Sequence, residues 1–166
     1  PVRVTTSPVP EPFLPHAPTL EDYWRGIVLF GRNVASYKFA LAKSLFELNR
    51  PGGTLIRLEE LAEPFSRNIA LHLKVAPKQI TATRSRFLDA CKQFNSGTLE
   101  QGRLIDQTVR LGFNNVIDAF HIVNQGEIPK RFFTDERAES GGIRVTDDFS
   151  KLLETAQALN LPQEVE

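Results

Sequence analysis

Seven stretches of this chain repeat one pattern: apolar residues three and four apart, then a stop at glycine, asparagine or proline. A spacing near 3.6 residues is that of an amphipathic helix, and it confines the chain to a mainly α fold. It predicts helices over 20–33, 36–49, 58–73, 83–95, 99–111, 114–124 and 147–160. Thr19 and Thr146 stand where N-caps belong, each with acids in the turn that follows. Thr98 with Gln101 reads as a capping box, Gly112 closes that helix, and Pro64 marks a kink or a boundary in 58–73. Only 131–134 and 143–146 break the rhythm, as two β-prone runs around Gly141 and Gly142, which reads as a hairpin.

The expected architecture is therefore a compact bundle of about six to seven helices with a small β-hairpin near the C-terminal end. Residues 1–18 are proline-rich and read as an extended arm, 19–160 as one helical domain, and 161–166 as the start of a linker or tail. The arm lacks the basic start and apolar core of a secretory signal, and no apolar run reaches membrane-spanning length. The chain holds no methionine, so it reads either as a processed start or as a piece of something longer. A single cysteine, Cys91, can form neither an internal disulfide nor a zinc pair. It falls on an apolar stripe with Phe87, Leu88 and Phe94, as a small buried hydrophobe would, and a reducing, cytoplasmic location is the default expectation.

Charge is balanced overall and uneven along the chain. Between residues 64 and 99, Arg67, Lys74, Lys78, Arg84, Arg86 and Lys92 face one acid, Asp89; between 133 and 166 eight acids face three bases. A net charge of zero argues against indiscriminate nucleic-acid binding, but the basic segment can contact phosphates locally. A helix start near Thr83 and Ser85 would add hydroxyls and backbone N–H groups for the same anion. The plainer reading is a solvated basic face with no partner.

The helix over 36–49 poses a question of its own. At about 100° per residue, Lys38 falls inside the apolar face, between Val34 and Leu45 on one side and Ala42 on the other, whereas Lys43 falls on the polar side. A lysine there can snorkel to the edge, pair with an acid such as Glu21 or Asp22, or line a cleft that takes an oxyanion with Tyr37 as its wall.

Hydrolytic chemistry is poorly supported. His16, His72 and His121 are far apart and lack metal-ligand spacing, and no phosphate-binding glycine loop, nucleophile elbow or zinc signature occurs. His72 lies beside the core stripe of its helix and reads as a half-buried imidazole. Asp118 and His121 are one helical turn apart and can pair, but nothing signals a nucleophile beside them. Lys130, Arg131, Asp135 and Glu136 could mimic a nuclease cluster; a charged hairpin edge explains them better.

The blocks "YWRGIVLFGRNVASYKFALAKSLFEL", "SRFLDACKQFNSG", "GFNNVIDAFHIVNQGEIPKRFF" and "GGIRVTDD" resemble the N-terminal region of bacterial HNH-family endonucleases of the restriction or phage-defence type. The likeness runs from Tyr23 to Glu166, and the His-Asn-His nuclease signature is missing from it. It implies a front domain whose parent cuts DNA with a divalent metal, while this segment itself needs no cofactor. Some HNH restriction proteins begin with domains that sense modified DNA, including sulfur-substituted backbones, and a tyrosine-lysine pair would suit such a sensor.

The expected function is thus DNA recognition or positioning, with duplex DNA and the protein's own C-terminal nuclease domain as partners, no membrane, and a homodimer as one compatible state. Phosphate contacts would come from Arg67, Lys74, Lys78, Arg84, Arg86 and Lys92 with Thr83 and Ser85, and a more specific pocket from Lys38 and Tyr37. The alternative is a docking module that regulates a nuclease domain or partner subunit without touching DNA. A stand-alone hydrolase using Asp118 and His121 is the third and least supported reading.

Overall fold

The computed structural model describes residues 17–30, 35–76 and 85–159. Helix α1 (Leu20–Phe30) opens with a reciprocal cap: Thr19 Oγ1 accepts from the Asp22 N–H at 3.2 Å, and Asp22 Oδ2 accepts from the Thr19 N–H at 2.9 Å. Helix α2 (Ala35–Leu48) buries Leu41, Ala42 and Leu45 and stops at Asn49, which takes a left-handed φ of 50°. The chain then turns through Gly52 and Gly53 into strand β1 (Leu55–Arg57), from which helix α3 (Leu58–Val75) starts without a loop.

Pro64 neither ends nor divides α3. The helix runs through it, burying Leu61, Ala62, Phe65 and Ile69 on both sides of the proline, so packing offsets the backbone hydrogen bond that proline cannot donate. Ser44 of α2 ties the two helices together: its hydroxyl donates to the Ala40 carbonyl at 2.6 Å and accepts from Asn68 Nδ2 at 3.1 Å.

Helix α4 (Arg86–Asn95) is capped by Ser85, whose Oγ accepts from the Leu88 N–H at 3.3 Å. Helix α5 (Gln101–Gln107) continues as a π-helical turn over Thr108–Gly112. The expected box of Thr98 and Gln101 does not form. The N-cap is Glu100, two residues beyond Thr98, and the Thr98 hydroxyl instead donates to the Gln93 carbonyl at the end of α4. Gly112 lies against the Phe87 ring, which leaves little room for a side chain there.

The stretch 114–124 departs most from expectation. Only Val116–Ala119 is helical (α6), and strands β2 (Ile122–Val123) and β3 (Gly126–Glu127) form a two-stranded ribbon. Asn124 and Gln125 both have positive φ, 51° and 68°, as a tight hairpin turn of this hand requires. The one expected hairpin is present near its predicted place, its strands shifted by a residue or two. Strand β4 (Phe133–Glu136) pairs antiparallel with β5 (Gly142–Val145) across the single turn α7 (Arg137–Ser140), with Phe133 opposite Val145. It is also larger than a hairpin, because β1 adds to the other edge of β5 in the order β1-β5-β4.

Helix α8 (Asp147–Leu159) starts at the Thr146 cap, whose Oγ1 accepts from the Phe149 N–H at 3.3 Å. Trp24 is buried in the core, edge-on to Phe46, Phe120 and Phe132 at 5.0–5.6 Å between ring centres. Cys91 is fully buried, and desolvation pushes its thiol up to about 12. No helix among the described residues is long and apolar enough to cross a membrane.

Candidate nucleic-acid interface

Lys38 and Tyr37 are neighbours in sequence that face different parts of the protein. The Lys38 side chain is 1% exposed, and its Nζ donates to the Ile122 carbonyl of β2 at 2.6 Å. The lysine neither snorkels nor meets Glu21 or Asp22: an ammonium inside the apolar face is held by a backbone acceptor, and desolvation lowers its pKa. Tyr37 points into the seam of α2, α3 and α4, its ring 6.3 Å from that of Phe65 and 6.2 Å from that of Phe87. Burial raises the Tyr37 phenol, and a hydrogen bond with the Ser85 side chain opposes the shift. Among the described residues the two side chains therefore have different neighbours.

Beside Lys38 lies a second buried titratable group. His121 is 2% exposed, and its Nε2 accepts from the Phe132 N–H at 3.0 Å, so the imidazole is neutral with its proton on Nδ1. Desolvation first, then the charges of Arg131 and Lys38, bring its pKa down to about 3. Asp118 does not pair with it: the exposed carboxylate meets Arg137 at 2.7 Å instead. The charged hairpin edge is laced in the same way, with Asp135 on Arg137, Glu136 on Arg144, and Arg131 on Glu127. His72 is half-buried, with Nε2 3.5 Å from Ser36 Oγ.

The basic segment divides into three groups. Arg67 is held between Glu47 at 2.7 Å and Glu63 at 3.2 Å, which neutralises it as a phosphate contact. Lys74, Arg86 and Lys92 are exposed, on the last turn of α3 and along α4, and Ser85 spends its hydroxyl on capping. Lys78, Thr83 and Arg84 lie outside the described residues.

Arg86 also lines an open groove between α4 and α5. Two adjoining depressions of about 300 and 230 Å3 share Leu99 and Gln107 as common lining. The larger takes Arg86, Asp89 and Gln93 from α4, and the smaller takes Arg103, Asp106 and Arg110 from α5 and its π turn. The sequence reading passed over Arg103 and Arg110, although their spacing of seven residues, with Gln107 between, placed them on one helical face. Among the described residues no carboxylate lies within ion-pair distance of Arg86, Arg103 or Arg110.

No family model, characterised protein or solved structure matches the chain.

Proposed function

We propose that this chain is a helical DNA-recognition or positioning domain that binds the duplex backbone electrostatically, in front of the metal-dependent nuclease of an HNH-type parent. The observation that carries the reading is the set of exposed cations Lys74, Arg86 and Lys92 on α3 and α4, which no acid neutralises among the described residues. Cations already held by carboxylates add little to phosphate affinity, because the anion must compete for them; free ones release counterions from DNA when they bind. The nuclease parent and any sensing of a modified backbone rest on the likeness of the sequence blocks alone.

A second reading, a docking module that never touches DNA, draws on the exposed apolar side chains Leu71 and Val75 one turn apart at the end of α3. Charge reversal separates the two. Arg84→Glu with Arg86→Glu abolishes duplex binding if the basic segment contacts phosphate, and leaves partner docking intact. Duplex binding that survives the double reversal refutes the basic segment as the contact surface.

A further inference from the structure

We propose that the exposed face of α5 and the adjoining groove beside α4 seat one phosphodiester strand, with Arg103 and Arg110 as its main contacts and Arg86 in the adjoining depression. The inference rests on the DNA-binding reading and names a surface which that reading did not include. Both arginines are exposed, line the same depression and lie two helical turns apart. That separation is about 10 Å along the axis, enough for the two guanidiniums to meet different phosphates of one strand. A guanidinium grips a phosphate through two parallel N–H groups, a geometry that exposed lysines cannot offer.

The remaining lining suits an extended polyanion better than an enclosed small anion. The depressions open to solvent and run into one another through Leu99 and Gln107, so a strand can pass along them. Gln93 and Gln107 offer amide donors to phosphate or sugar oxygens. Asp89 and Asp106 stand among the arginines and repel phosphate, so a strand avoids them and its register is restricted. Their charge also weakens binding, which gives the proposal a prediction of opposite sign to the arginine variants.

The test is fluorescence anisotropy of the full chain with a short labelled duplex over a salt series. Arg103→Gln with Arg110→Gln is expected to lower the slope of log affinity against log salt by about two and to weaken low-salt binding at least ten-fold. Asp106→Asn is expected to tighten it, while Lys43→Gln, on α2 and outside both depressions, changes neither. The groove sites are exposed and Lys43 is half-buried, and circular dichroism is the check that each variant folds. Wild-type binding with a normal salt slope that the double arginine variant shares overturns the groove and spares the DNA-binding reading. Absence of wild-type binding at low salt overturns both.

Discussion

Acid should unfold this domain chiefly through His121. Its imidazole is buried among Phe120, Phe132 and Phe133, accepts a backbone hydrogen bond through Nε2, and has its pKa brought down from 6.5 to about 3. The unfolded chain therefore binds a proton in that window that the folded chain refuses, and stability must fall as pH drops from 6.5 toward 3. At about pH 4 the loss is roughly 3 kcal/mol relative to neutral pH, because the unfolded histidine is almost fully protonated and the folded one is not. Urea unfolding at both pH values would measure it. His121→Gln keeps an acceptor for the Phe132 N–H but has nothing to titrate. It should be less stable at neutral pH from lost ring packing, yet lack this part of the acid loss. Carboxylates titrate in both proteins, so the difference between the two pH profiles isolates the histidine. Parallel profiles would refute the reasoning.

Three further outcomes follow from particular contacts. Lys38→Met should stay within about 1.5 kcal/mol of wild type and bind DNA unchanged, because a similar volume replaces a desolvated ammonium; lost binding in a folded Lys38→Met protein would return the lysine to the interface. Gly142→Ala should cost more than about 3 kcal/mol in chemical denaturation, since a methyl group there collides with the Ile56 carbonyl of the paired strand β1. Cys91 should resist a thiol reagent in the native protein and react after unfolding, given its burial and a thiol pushed up to about 12.

Much of the helical framework was legible because it depends on local periodicity. Thr19 and Thr146 cap as their positions suggested, since a cap is decided within one turn. Elements that depend on distant partners were not. Strand β1 has three residues and runs straight into α3, so it exists only through pairing with β5, some ninety residues later in the chain. The ribbon over 122–127 was hidden because "DAFHIVN" satisfies a helical period until Asn124 and Gln125 turn left-handed. Lys38 was legible as an anomaly and its solution was not, for its acceptor is a backbone carbonyl, which no side-chain pattern encodes. The same limit applies to the groove. Arg103 and Arg110 share a helical face by spacing, but only the packing of α4 beside α5 brings Arg86 into the adjoining depression.

The central claim is that this domain binds duplex DNA through its backbone. Anisotropy of the purified chain with one duplex, unmodified and backbone-modified, across a salt series tests it most directly. Binding whose logarithm falls linearly with log salt is expected, with a slope near −0.9 for each phosphate neutralised. Absence of binding at low salt, or binding indifferent to salt, would contradict it.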